Sequence, residues 1–260
     1  MQVVIFAGGL GSRISEESHL RPKPMIEIGG KPLLWHIMKI YQAQGFNEFI
    51  ICLGYKGYMI KEYFINYFVH NSDVTVDLNN NSLKVHQSNT EDFVVTLVET
   101  GQETKTAGRL KRVASYIKED VFMLTYGDGV ANVDLKELIA YHKRHGRIGT
   151  VTMIQPKGKF GVIQTSEKGE VAGFVEKPQD GGNWINGGYF VLQKEVFSYL
   201  EESMDEVMWE QDPMLHMVED GQLMGYKHHG FWKSMDILRD KVELENLWQS
   251  NSPPWKIWKS

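Results

Sequence analysis

The chain begins with a continuous apolar run, Val3-Val4-Ile5-Phe6-Ala7, that stops at Gly8-Gly9. A short β-branched run without polar alternation is the pattern of a strand buried on both faces, which predicts a central strand of a parallel sheet. Further on, Leu33, Leu34, Ile37, Met38 and Tyr41 recur at helical spacing, with Pro32 suited to a first turn and Gly45 to a stop. The alternation continues, with strands at about 49–53, 94–98 and 121–125 and helices at about 58–68, 107–117 and 134–145. This order predicts an α/β fold: a Rossmann-like, mostly parallel mixed sheet flanked by helices.

Two stretches depart from it. Asn79-Asn80-Asn81 separates Val74-Thr75-Val76 from Leu83-Lys84-Val85 and predicts a small antiparallel hairpin, a candidate subunit contact. After Gly146 short strands are expected at about 150–154, 173–175 and 189–192, then helices at about 207–219 and 237–248. The tail Pro253-Pro254-Trp255-Lys256-Ile257-Trp258 is too short for a core of its own, so it should dock on this or a neighbouring subunit. A single domain is expected: a nucleotide-binding half (1–145), a second half (146–235), and a C-terminal helix and tail (236–260).

The 260 residues are 42% hydrophobic, enough for a full core, and the formal net charge is -5. That balance argues against nucleic acid or a membrane surface as partner, because both rest on clustered Lys and Arg. An anionic ligand must therefore be met by local positive charge. Cys52 is the only cysteine and lies in an apolar run, so it reads as a buried thiol. No run approaches the length of a membrane span and no export signal is evident, so a cytoplasmic protein is expected and Asn80-Asn81-Ser82 is only a polar turn.

The glycine-rich loop between the first strand and its helix carries chemistry. Gly8, Gly9 and Gly11 let backbone N–H groups approach an anion. The loop lacks the third glycine of the dinucleotide fingerprint and the Gly-Lys-Ser/Thr ending of the ATPase loop. Instead it carries Arg13, with Lys23 downstream between Pro22 and Pro24, so two cations bracket it. Asp128 follows a predicted parallel strand, where open α/β sheets place their ligands, and suits Mg²⁺, which takes one or two carboxylates plus phosphate oxygens and water.

Ala7-Gly8-Gly9-Leu10-Gly11-Ser12-Arg13 with Lys23-Pro24-Met25 resembles the signature of the sugar-1-phosphate nucleotidyltransferases, with Ser12 where threonine is usual. Tyr126-Gly127-Asp128-Gly129, Glu176-Lys177-Pro178 and Asn186-Gly187-Gly188-Tyr189 agree with it in order, so the resemblance spans nearly the whole chain. Gly54-Tyr55-Lys56-Gly57, Gly108-Arg109-Leu110-Lys111-Arg112, Trp209-Glu210-Gln211, Met235-Asp236 and the Pro254-Trp255-Lys256 ending resemble those members that join CTP and glucose 1-phosphate.

The resemblance implies a GT-A-like fold and nucleotide binding by Phe6, Ala7, Gly8, Gly9, Leu10, Gly11, Ser12, Arg13, Lys23, Thr104, Arg109 and Asp128. It implies sugar-phosphate binding by Glu176, Lys177, Asn186 and Gly187, with Lys177 gripping the phosphate. It makes Asp236 the second Mg²⁺ ligand beside Asp128, although an aspartate opening a helix is often only an N-cap. Arg13, Lys23, Asp128 and Lys177 become the catalytic set. It further implies a homo-oligomer, hexamers included, and a product used in dideoxysugar and surface polysaccharide synthesis.

Attack of a sugar phosphate on the α-phosphorus of a triphosphate needs positioning and charge neutralisation, not a covalent nucleophile. Three alternatives stay open: the same reaction with UTP, dTTP or another phosphorylated acceptor; a glycosyltransferase; and a nucleotide-binding module without turnover. Against the glycosyltransferase, Asp128 is followed by Gly129-Val130 and not by an Asp-x-Asp element. His142 and His145 read as charge near a helix C-terminus, His228-His229 as a strand pair facing opposite ways, and Lys111, Arg112, Arg144 and Arg147 as solvated faces. The aromatics from Tyr55 to Phe68 read as core or an oligomer contact.

Overall fold

The computed structural model describes residues 1–88, 90–156, 162–165, 171–175, 183–201, 203–250 and 252–258. Seven strands form one sheet: β1 (Val3–Phe6), β2 (Glu48–Leu53), β3 (Val94–Glu99), β4 (Val121–Tyr126), β5 (Gly149–Ile154), β6 (Ile185–Gln193) and β7 (Leu223–His228). Their spatial order is β7-β5-β6-β4-β1-β2-β3. β1 runs parallel to β2 and β4, β2 to β3 and β5 to β7, whereas β6 is antiparallel to both β4 and β5. The expected mixed, mostly parallel sheet is what forms.

β1 is central, and its side chains alternate between two cores. Val3 and Ile5 enter one, and Val4 and Phe6 the other. Helices α1 (Leu33–Gln42), α2 (Gly57–His70), α4 (Leu135–His145) and α6 (Leu238–Gln249) contribute to the first core; α3 (Thr106–Arg112) and α5 (Asp212–Glu219) contribute to the second. The expected hairpin forms from Ser72–Asp77 and Ser82–Ser88. The aromatics of α2 divide: Tyr67 is buried, while Tyr58 and Phe68 are exposed together with Ile65.

Two helices are shorter than their apolar spacing suggests. α3 ends at Arg112, and a 3-10 turn, Ala114–Tyr116, follows. The tighter turn lets both Val113 and Ile117 reach the core. α5 begins at Asp212 because Pro213 has no N–H to donate and fits only a first turn. The preceding segment is tied to α3 instead: Lys105 N–H donates to the Asp205 carbonyl at 2.7 Å and Ala107 N–H to that of Val207 at 3.1 Å.

The tail docks on its own chain. Trp255 is buried, with Phe231 and Trp248 stacked on it and the His36 ring edge-on. His142 and His145 do not serve as charge at the end of α4. Both ring nitrogens meet the Thr150 hydroxyl, at 2.8 and 2.7 Å, and burial lowers both, His142 to about 4. Lys111 and Arg112 are not merely solvated, since Lys111 Nζ donates to the Leu200 carbonyl at 2.8 Å and Arg112 pairs with Asp205 at 2.6 Å. Among the described residues no helix is long and apolar enough to cross a membrane.

Candidate active site

The loop after β1 sits between the C-terminal ends of β2 and β4, the crevice where open α/β sheets bind ligands. Ala7 N–H donates to the Cys52 carbonyl at 3.0 Å, Gly127 N–H to that of Phe6 at 2.9 Å, and Tyr55 N–H to that of Gly8 at 3.1 Å. Gly8 is packed so closely that a Cβ would lie 2.1 Å from Arg109 Nη1. Gly11 has φ +64°, which turns the chain into the short Ser12–Ile14 helix and leaves Arg13 at its start, exposed.

Arg109 has a task that its spacing did not suggest. Buried at the loop's back, its guanidinium donates to the carbonyls of Leu53 (2.9 Å), Gly101 (2.8 Å), Gly8 (3.0 Å) and Gln102 (3.3 Å) and to the Thr100 hydroxyl (2.8 Å). Arg109 therefore clamps the glycine loop to the loop before α3, which carries the buried Thr104. Holding these carbonyls fixes both loops.

Asp128 and Asp236 are brought together by a two-stranded ribbon in which Gly129–Ala131 pairs with Trp232–Ser234. Met235 N–H closes it on the Asp128 carbonyl at 2.8 Å. Lys23, only 8% exposed, donates from Nζ to Asp128 Oδ2 at 2.8 Å and to Asp236 Oδ1 at 2.9 Å. Arg13 Nη2 lies 3.0 Å from the same Asp236 oxygen, and the Ser234 hydroxyl donates to the other at 2.9 Å. Burial alone would raise the Asp236 carboxyl, but the hydrogen bond and charge of Lys23, the Ser234 hydroxyl and Arg13 outweigh it and hold the group below the ordinary range.

Asp236 is not the cap of α6. Ile237 holds that position, and the Asp240 carboxylate accepts from Asp236 N–H at 2.9 Å and Ile237 N–H at 3.1 Å. The Asp236 carboxylate is thereby left to face the cleft.

Phe6 through Arg13, Lys23, Thr104, Arg109, Asp128, Asn186 and Asp236 all line one cleft of about 550 Å³. Gly187 adjoins it, its carbonyl accepting from Trp232 Nε1 at 2.7 Å. Glu176 and Lys177 lie outside the described residues. The cleft also takes in residues to which no role was given from sequence, notably Thr106, Tyr126, Glu210, Trp232 and Ser234. The only signal was that Tyr126 and Glu210 fall inside segments that carry the family likeness.

A family model described as nucleotidyl transferase matches residues 2–237. The chain belongs to the nucleotidyl transferase family. As a nucleotidyl transferase it is 52% identical over 259 residues to the glucose-1-phosphate cytidylyltransferase of Salmonella typhi, covering 99% of this chain and all of that one. A probable glucose-1-phosphate cytidylyltransferase of Bacillus subtilis (strain 168) is 43% identical over 258 residues, with 99% and 100% covered. Among solved structures, a putative glucose-1-phosphate thymidylyltransferase from Bacillus anthracis superposes with a TM-score of 0.70 over 95% of this chain and 94% of that one, at 17% identity, a likeness of fold. The likeness read from the sequence motifs holds over the full chain.

Proposed function

We propose that this nucleotidyl transferase moves a cytidylyl group from CTP to α-D-glucose 1-phosphate, giving CDP-glucose and pyrophosphate. The observation that carries the reading is the meeting of Lys23, Arg13, Asp128 and Asp236 beside the glycine loop, in a chain 52% identical over its full length to a glucose-1-phosphate cytidylyltransferase.

In this reading the N–H groups of the loop from Gly8 to Arg13 face the triphosphate, and Thr104 lies at the base. A phosphate oxygen of the sugar phosphate attacks the α-phosphorus in line, and the bond to the β-phosphate oxygen breaks, with pyrophosphate leaving. Lys23 and the exposed Arg13 offset the charge that grows on the α-phosphate and the leaving group. Asn186 and Gly187 bind the sugar; Glu176 and Lys177 take its hydroxyls and phosphate, as the family likeness implies. Arg109 acts behind the loop, holding the Gly8 carbonyl so that the N–H groups stay aligned.

The donor set suits Mg²⁺. Asp128 and Asp236 bring two hard carboxylates close together, both within hydrogen-bond distance of Lys23 Nζ, at the edge of the cleft. Mg²⁺ asks for one or two carboxylates, the rest of its shell being phosphate and water. Held by Asp128 and Asp236, it would offset negative charge on the reacting phosphates.

The two halves and the tail, 1–145, 146–235 and 236–260, act in this reading as one catalytic unit, since Asp128 and Asp236 come from different parts. A cytoplasmic homo-oligomer, hexamers included, belongs to the same proposal; the exposed Ile65 and Leu78 on α2 and the hairpin supply apolar contact surface.

The test is pyrophosphate release with Mg²⁺, glucose 1-phosphate and each of CTP, UTP, dTTP and GTP. CTP should be preferred at least about tenfold in kcat/KM. Preference for any other nucleotide overturns the reading.

A further inference from the structure

The cleft wall contains a chain of hydrogen bonds that runs from α3 to β6. The Thr106 hydroxyl accepts from Trp209 N–H at 2.7 Å and donates to Glu210 Oε2 at 3.0 Å. The Tyr126 hydroxyl donates to Glu210 Oε1. Asn186 Nδ2 donates to the Tyr126 oxygen at 3.1 Å, and Gly188 N–H donates to Asn186 Oδ1 at 2.8 Å.

The direction of every link follows from the carboxylate. An ionised Glu210 can only accept, so Thr106 and Tyr126 must both point their protons at it. With its proton spent there, the phenol oxygen has only lone pairs to offer, and it takes an N–H of Asn186. Gly188 N–H fixes the other end of the amide, because only Oδ1 can accept. Asn186 is thus held with its carbonyl toward its own chain, and its second Nδ2 hydrogen is not used by this network.

We propose that Glu210 is a positioning residue for the sugar phosphate: through Tyr126 it anchors the Nδ2 end of the Asn186 amide, whose Oδ1 end Gly188 N–H holds, and through Thr106 it ties that anchor to the helix beside the nucleotide. This rests on the reading of Asn186 as a group that binds the acceptor sugar. A neutral glutamine in its place keeps the shape but brings an N–H₂ group, so it can accept at only one end. With the N–H₂ group toward Tyr126 the phenol proton is turned away and Asn186 loses its anchor at Nδ2; with it toward Thr106 that hydroxyl can no longer donate and the tie to the helix is lost.

The experiment is steady-state kinetics of Glu210→Gln, Tyr126→Phe and the double variant with CTP and glucose 1-phosphate. Wild-type enzyme comes first, and no pyrophosphate release from it means that the reaction itself has been misread. With an active wild type, Glu210→Gln should raise KM for glucose 1-phosphate on the order of 10-fold, the effect of one misdirected hydrogen bond, and leave KM for CTP within about twofold. Tyr126→Phe cuts the same chain one link later, so the double variant should be little worse than either single one. An unchanged KM for glucose 1-phosphate, an equal rise for CTP, or additive effects in the double variant would overturn the inference. If Glu210→Gln does not fold, Tyr126→Phe alone decides by the same split between the two KM values.

Discussion

Lys23 Nζ donates to Asp128 Oδ2 at 2.8 Å, across 105 positions of sequence. The same ammonium meets Asp236, so one buried cation sits between two carboxylates from distant parts of the chain. Lys23→Ala leaves those carboxylates facing one another and, in the proposed reaction, removes the charge that opposes the developing phosphate charge. Turnover should fall about 10²–10³-fold, measured as pyrophosphate release at saturating CTP and glucose 1-phosphate. A loss below about fivefold would show that Lys23 only supports the fold.

How far this arrangement could be read beforehand depended on distance along the chain. The strand Val3–Phe6 and the loop after it are local, and a continuous apolar run followed by glycines is sufficient to find them. The pairing of Asp128 with Asp236 is not local, because it depends on the ribbon between Gly129–Ala131 and Trp232–Ser234, and two three-residue strands leave no periodicity to detect. Periodicity also overextended two helices: it does not register that Pro213 must stand in a first turn, or that Val113 is better buried by a tighter turn. Arg109 was recognised by likeness as a nucleotide residue, yet five acceptors on the protein itself engage its guanidinium. Four of the five are backbone carbonyls, which have no sequence signature, since every residue carries one.

Burial lowers both His36 and His142 to about 4, and His145 in the same direction. These rings are neutral when folded, whereas in the unfolded chain they take up a proton near pH 6.5. The unfolded state thus binds more protons within this window, and stability rises with pH there. Their contribution is fully present above about pH 6.5 and is lost as the pH falls toward 4. Carboxylates such as Asp236 and Asp240, held below their ordinary range, act at lower pH still. Calorimetric unfolding at pH 7, 6 and 5 should show a midpoint that drops at each step; a midpoint constant over that range contradicts the assignment.

Gly29 has φ +58°, and a Cβ built there would lie 1.9 Å from Trp248 Nε1. Its N–H donates to Glu245 Oε2 at 2.8 Å, so the turn before α1 is fastened to α6, where Trp248 stacks on the buried Trp255 of the tail. Gly29→Ala combines backbone strain of about 1–2 kcal/mol with overpacking of about 1–3 kcal/mol against a rigid indole. Gly30→Ala separates the two, since Gly30 has φ +74° but nothing within 4 Å of its Cβ direction. Gly29→Ala should lower the unfolding midpoint by several degrees more than Gly30→Ala and shift the tryptophan emission, which Gly30→Ala should leave in place. Neither glycine lines the cleft, so kcat below the transition should stay within about twofold of wild type in both. Equal losses in the two variants would mean that strain alone acts at this turn and that the indole yields, loosening the claim that the tail is packed against it.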